Sequence, residues 1–233
     1  MTPSEAEAQR ILAEYARRER EIGTAFYALT NPANLFARHG QERALLAALV
    51  SANALPLTDK RILDVGCGRG QWLSIFEDFL ATPSKLSGTD LDAARLADAK
   101  LRFPVADLRA GDASELPWAD GSFDIVHQAT MFTSILDASV RKRVAAEMRR
   151  VLADDGLILW YDFRFDNPKN PNVRGIGARE IRELFPRCTV DLQLVTLAPP
   201  ISRRLVERSW LIAAALERLR LLNTHYFGVI RAI

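Results

Sequence analysis

The stretch from Arg61 to Leu73, Arg-Ile-Leu-Asp-Val-Gly-Cys-Gly-Arg-Gly-Gln-Trp-Leu, limits what this chain can fold into more than any other. Ile62, Leu63 and Val65 make a short apolar run suited to a buried parallel strand. Gly66, Gly68 and Gly70 then remove Cβ atoms where the chain must turn tightly and approach a ligand. A helix opening near Gly70 presents free backbone N–H groups and the positive end of its dipole, a seat for an anionic group. The spacing excludes two ligand loops. The dinucleotide fingerprint needs its third glycine at the position of Gln71, and the phosphate loop needs a Gly-Lys-Ser/Thr ending that is absent. A glycine-rich strand-to-helix turn with no ligand is the plain alternative.

The rest of the chain alternates strand and helix in the manner of a doubly wound α/β sheet with helices on both faces. Two helices precede the first strand, at 4–22 and 34–51, with Ser4 and Asn34 as their caps. After the glycine turn come a helix from Gln71 to Leu80 and a strand over 85–92 that ends in acid. Asp90 lies about 20 residues past the last glycine, the distance at which a βαβ unit returns a strand tip beside the turn. Asp92 is placed to cap the next helix. A third strand over 104–110 runs into Gly111-Asp112-Ala113. Phe123 to Ala129 reads as a buried fourth strand with His127 and Gln128 toward its carboxyl end, where open α/β sheets bind ligands. A helix over 137–152 is expected to stop at Asp154-Asp155-Gly156, ahead of a fifth strand over 157–163. Then come a stiff Asn/Pro loop over 167–175, a helix over 178–185, a strand over 190–197 broken by Pro199-Pro200, a helix over 202–222 and a last strand over 224–233.

Asp64 ahead of Gly66-x-Gly68-x-Gly70 resembles the first motif of class I S-adenosylmethionine-dependent methyltransferases. The acid of Asp90-Leu91, the Gly111-Asp112-Ala113 turn, the Phe123-Asp124-Ile125-Val126 strand and the apolar strand after an Asp-Gly turn follow in that family's order. The resemblance runs from about Arg61 to Phe163 and is nearest to the small-molecule, ubiquinone/menaquinone-biosynthesis type. It implies a Rossmann-like seven-stranded sheet whose last strand is antiparallel, with an inserted helix before that strand as a departure. It implies S-adenosylmethionine as cofactor. The positions carried over are Asp64, Gly66, Cys67, Gly68, Gly111, Ala113 and Gln128, with Asp90 on the ribose hydroxyls, Leu91 on a face of adenine and Asp112 on the adenine amino group. Residues 1–56 are expected to form a helical cap and 57–233 the methyltransferase domain.

His127 and Asp162 are the candidate proton acceptors, near the ends of the fourth and fifth strands. Arg164 and Arg174 suit an acidic group on an acceptor, with Gln128 and Asn167 as further polar groups. Tyr27, Asn31 and Arg38 are polar candidates ahead of the sheet. Trp210 and Tyr226 would add an aromatic wall if the inserted helix folds over the site. That helix otherwise packs on the sheet or against the partner in a homodimer. Three subclasses are set aside. Asn/Asp-Pro-Pro-Tyr/Phe is missing after the fourth strand, neither cysteine follows a proline, and Asp166-Asn167 lacks the earlier acid of metal-dependent relatives, so no metal is expected. Cys67 and Cys188 make no metal or redox spacing.

The 233 residues are 48% hydrophobic and 26% charged, ordinary for a globular chain. Thirty-one basic against 29 acidic side chains leave a net charge of +2, too balanced to argue for nucleic acid or an anionic membrane as main partner. No apolar run is long enough to span a bilayer and the start lacks signal-peptide character, so a cytoplasmic location is expected. The expected activity is O-methylation of a small polar molecule. C- or N-methylation, or a cofactor-binding module without turnover, are the alternatives.

Overall fold

The computed structural model describes residues 2–168 and 170–233. In chain order the elements are α1 (Pro3–Ile22), α2 (Pro32–Ser51), β1 (Ile62–Val65), α3 (Gln71–Asp78), β2 (Leu86–Asp90), α4 (Ala93–Arg102), β3 (Asp107–Ala110), β4 (Phe123–Ala129), α5 (Ala138–Val151), β5 (Leu152–Phe163), α6 (Ala178–Leu184), β6 (Cys188–Leu197), α7 (Pro199–Leu205), α8 (Trp210–Leu219) and β7 (Asn223–Ala232). Short 3-10 turns lie at Thr24–Tyr27, Pro83–Lys85 and Phe132–Ser134.

The seven strands form one sheet in the order β3-β2-β1-β4-β5-β7-β6. Parallel pairing links β3, β2, β1, β4 and β5, and β7 runs antiparallel to both β5 and β6. The order reverses between β1 and β4, so the carboxyl ends of β1 and β2 open a crevice there. Alternation along the strands divides the core in two. Ile62, Leu157, Leu159 and Tyr161 face α2, α3 and α4. Leu63, Val65, Ile158 and Trp160 face α1, α5 and α6. Continuous burial on both faces is why β1 and residues 157–161 of β5 read as apolar runs rather than alternating ones.

Four departures from the sequence expectation have a clear local reason. Thr2, not Ser4, caps α1: its hydroxyl accepts the Glu5 N–H at 3.2 Å while Glu5 reaches back to the Thr2 N–H at 2.7 Å. Pro3 can then occupy the first helical position, where no N–H is needed. Asn31, not Asn34, caps α2 through the Ala33 N–H at 2.9 Å, again with proline next. Asn34 instead donates to the carbonyls of Phe26 and Ala28 at 2.7 and 3.0 Å. Helix α5 runs directly into β5 at Leu152, and Asp154-Asp155-Gly156 lie inside the strand, where the register against β4 shifts. The single inserted helix is two. Pro199 and Pro200 start α7, since proline fits a first turn, and the Ser209 hydroxyl accepts the Ile212 N–H at 3.3 Å to begin α8.

Candidate cofactor crevice

The glycine turn is pinned to the tip of β2. The N–H groups of Gly66 and Cys67 both donate to the Thr89 carbonyl, at 2.8 and 2.9 Å. The Gly68 N–H donates to Asp90 Oδ2 at 2.8 Å, and the Asp92 N–H donates to Asp90 Oδ1 at 2.8 Å. Gly66, Gly68 and Gly70 all have positive φ (76°, 54° and 80°), which the sharp strand-to-helix reversal requires. At Gly70 a Cβ would also stand 2.6 Å from the Phe103 ring. Asp90 is buried, and that burial raises its pKa against the pull of its two backbone donors and Arg95.

Beside this turn lies a crevice with about 540 Å³ of empty space, partly open to solvent. Gly66, Thr89, Asp90 and Leu91 line its floor, with Gly111, Asp112 and Ala113 beyond. Helix α1 closes it from above with Ser4, Glu7, Ile11 and Tyr15, and Met131, Ser134 and Ile135 form a side wall.

Polar straps hold α1 in place more than apolar packing does. The Ser4 hydroxyl donates to Asp112 Oδ2, whose other oxygen accepts the Ser114 N–H at 2.8 Å. Glu7 accepts the N–H groups of Leu136 and Asp137. Arg10 pairs with Glu7 at 2.9 Å and donates to the Ser134 carbonyl. Glu14 accepts from the side chains of Asn170 and Asn172 at 3.1 and 2.9 Å, tying the helix to the Asn/Pro loop. Ile11 is the buried apolar residue of this helix. Tyr15 lies under the Arg95 guanidinium, 4.0 Å from the ring centre. Burial and the nearby Asp90 charge raise its pKa.

The crevice brings together six of the cofactor positions named from the sequence: Gly66, Asp90, Leu91, Gly111, Asp112 and Ala113. Four others lie outside its lining. The Cys67 side chain is buried toward Gly88, where an added Cβ would stand 2.8 Å from its sulfur, and burial pushes its thiol pKa up. Gly68 acts through its backbone on Asp90. Gln128 is fully buried and accepts the Met131 N–H at 3.3 Å, holding the side wall. Asp64 points to the opposite face, where its Oδ1 is 2.7 Å from His127 Nδ1.

His127 is 0% exposed. Its ring packs on Trp72 and Phe76 with centroids 4.3 and 5.4 Å away, and its Nε2 has no partner. Asp162 is equally buried, below the turn at Phe132–Ser134, where it accepts the N–H groups of Thr133 and Phe163 at 3.2 and 2.8 Å. The remaining polar candidates have other duties. Asn31 caps α2. Arg38 binds Glu42 at 2.7 Å and the Gln71 carbonyl at 3.2 Å. Arg174 pairs with Glu180, and Arg164 lies over the Phe165 and Tyr226 rings. Tyr27 is exposed and bonded to Arg18. Trp210 packs on Phe36 and His39. No group of three or more metal-ligating side chains occurs among the described residues.

Sequence reading passed over Thr89, Glu7, Tyr15 and Ser134. Thr89 is the most telling of these: its hydroxyl is buried in the crevice lining with no protein partner. A buried hydroxyl normally has a partner, and a polar group of a ligand in the crevice could supply one. Its position directly before Asp90 was the available signal.

Burial pushes the Asp162 pKa up to about 7 from an ordinary 3.8, against its hydrogen bonds from Thr133 and Phe163. The unfolded chain loses this proton above about pH 4 and the folded chain keeps it to about pH 7. This group's contribution to stability therefore falls as pH rises across that window, by at most about 4 kcal/mol at about 1.4 kcal/mol per unit. Asp162→Asn should flatten the decline. Urea midpoints from pH 5 to 8 measure it, and an unchanged slope in the variant would rule out Asp162 as its source.

Fold and site are similar to those of class I S-adenosylmethionine-dependent methyltransferases. Residues 62–156 match a family described as a methyltransferase domain. A probable S-adenosylmethionine-dependent methyltransferase of Mycolicibacterium smegmatis is 30% identical over 132 residues, covering 53% of this chain and 49% of its own. Phthiotriol/phenolphthiotriol dimycocerosates methyltransferase 1 of Mycobacterium ulcerans is 34% identical over 139 residues, covering 59% and 50%. The chain thus spans about half the length of the curated relatives it matches. The TehB-like methyltransferase structure of Corynebacterium glutamicum shares the fold, with a TM-score of 0.57 at 20% identity over 98% of this chain and 99% of its own. The class takes S-adenosylmethionine as cofactor. The crevice fits it on two counts: a polar group of the ligand could partner the Thr89 hydroxyl, and the Glu7, Asp90 and Asp112 carboxyl groups suit a ligand with cationic groups.

Proposed function

We propose that this chain catalyses methyl transfer from S-adenosylmethionine to an oxygen atom of a small-molecule acceptor. The observation that carries the reading is the convergence of Asp90, Asp112 and the Gly66 turn on one crevice closed by α1. Bound there, the cofactor supplies an activated methyl group on a sulfonium, so the driving force does not have to come from the protein. Asp90 and Asp112 are the assigned acceptors for its hydroxyl and amino hydrogens, and Leu91 the apolar surface for its base. Helix α1, the part of the expected cap over residues 1–56 that lines the crevice, keeps water out.

Asp162 is assigned as a positioning residue. It fixes Thr133, and with it the turn whose neighbours Met131, Ser134 and Ile135 form the crevice wall. His127 is assigned the same kind of role behind Asp64. Catalysis then rests on placement of the two reactants, the largest contribution a site without a bespoke base can make. The Mycobacterium ulcerans relative, named for phthiotriol/phenolphthiotriol dimycocerosates, supports a small-molecule acceptor over a nucleic acid.

Methyl-labelled S-adenosylmethionine incubated with the protein and a small-molecule extract tests the reading. Label should enter a low-molecular-weight product, and with a 13C-methyl label the chemical shift of the transferred methyl group separates O- from N- and C-methylation. Tight cofactor binding with no labelled product across acceptor classes would reduce the chain to a binding module.

A further inference from the structure

Helix α8 is built inside out. Ala213 is the residue it buries, while Leu211, Ile212 and Leu219 are 79%, 54% and 62% exposed. Trp210 and the following Leu221 and Leu222 extend this apolar face. A surface helix of a globular protein normally turns its apolar stripe inward, and contiguous exposed apolar surface marks an interaction site. The turn at Thr24–Tyr27 adds exposed Phe26 and Tyr27, joined to α7 by the Arg203 guanidinium 4.5 Å from the Phe26 ring centre.

Charge identifies the occupant. Between Pro199 and Leu222 stand Arg203, Arg204, Arg208, Arg218 and Arg220 against two acids, Glu207 and Glu217. Glu217 is already bound to Arg43 at 2.7 Å. All five arginines are exposed, and among the described residues none is in an ion pair. The whole-chain balance of +2 conceals this local excess. A second copy meeting the same face across a two-fold axis would set arginine against arginine at both ends, which opposes pairing. An anionic phospholipid surface complements both features: apolar side chains enter the acyl boundary, tryptophan suits the interface, and arginines reach the headgroups.

We propose that α7 and α8 dock this protein on an anionic membrane surface. The pair is inserted between the end of β6 at Leu197 and the start of β7 at Asn223. Because β7 is antiparallel to β5, with His225 opposite Phe163, the insertion lies at the same sheet edge as the carboxyl ends of β1, β2, β4 and β5. Docking therefore turns the crevice edge toward the lipid. The acceptor class that follows, an amphiphile presented at that surface, rests on the methyl-transfer reading; the docking itself does not.

Co-sedimentation of the full chain, without cofactor, with vesicles of phosphatidylcholine alone or mixed with phosphatidylglycerol tests the proposal. The protein should bind the anionic vesicles about tenfold or more tightly than the neutral ones, and high salt should weaken the binding. Leu211→Glu with Ile212→Glu should abolish it, while calorimetry with S-adenosylhomocysteine stays unchanged and shows the fold intact. Equal sedimentation of wild type and variant, or no binding to anionic vesicles, overturns the proposal. So does a concentration-dependent dimer, seen by sedimentation velocity, that the double variant dissolves. Because vesicle binding is read without cofactor, failure to bind S-adenosylhomocysteine would count against the methyl-transfer reading alone.

Discussion

Asp90→Ala is expected to weaken S-adenosylhomocysteine binding by about 1–3 kcal/mol, or roughly five- to 150-fold, measured by calorimetry. The residue does two jobs at once. Its carboxylate lines the crevice floor and holds the Gly68 and Asp92 N–H groups, each at 2.8 Å, so it also shapes the glycine turn. Alanine removes the acceptor for the ligand and leaves two backbone donors to find water. Asp90→Asn keeps the size and one acceptor oxygen, so it should fall between wild type and alanine. A wild-type affinity in Asp90→Ala would remove this residue from the site and with it the assignment of the crevice floor.

His127→Ala is expected to cost about 3–5 kcal/mol of folding stability, seen as a lower urea midpoint, because it deletes a large ring from a packed core. The ring fills space between Trp72 and Phe76 and is the hydrogen-bond partner of buried Asp64 at 2.7 Å. Leaving that carboxyl group without a partner adds about 1–3 kcal/mol to the same loss. A general base would behave differently: turnover would drop about 10²–10⁴-fold with stability kept. A stable His127→Ala protein with that kinetic defect would restore the base role and refute the buttress role.

The sheet and the crevice floor were legible because they depend on chain order. Asp90 and Asp112 each follow a strand of a βαβ unit, and such units return their tips to one place. Which face a side chain takes was less legible. Asp64 and His127 sit on neighbouring parallel strands in register, so they meet each other across the sheet face opposite the crevice. That pairing needs the strand register, which spacing along the chain does not supply.

A helical cap over residues 1–56 was expected from the resemblance, but the contacts that seat α1 over the crevice were hidden for another reason. Those contacts are polar and long-range, such as Glu7 on the Leu136 and Asp137 amides and Glu14 on Asn170 and Asn172. In sequence those acids read as a solvated helix face. The split between α7 and α8 was missed because Ser209 caps a helix inside what reads as one periodic stretch, and because paired prolines begin a helix as readily as they end a strand.

The central claim is that this crevice holds S-adenosylmethionine, and titration calorimetry with S-adenosylhomocysteine tests it most directly. One molecule should bind per chain, and Asp90→Ala should weaken that binding. No heat with S-adenosylhomocysteine, together with saturable binding of NAD, would contradict the account.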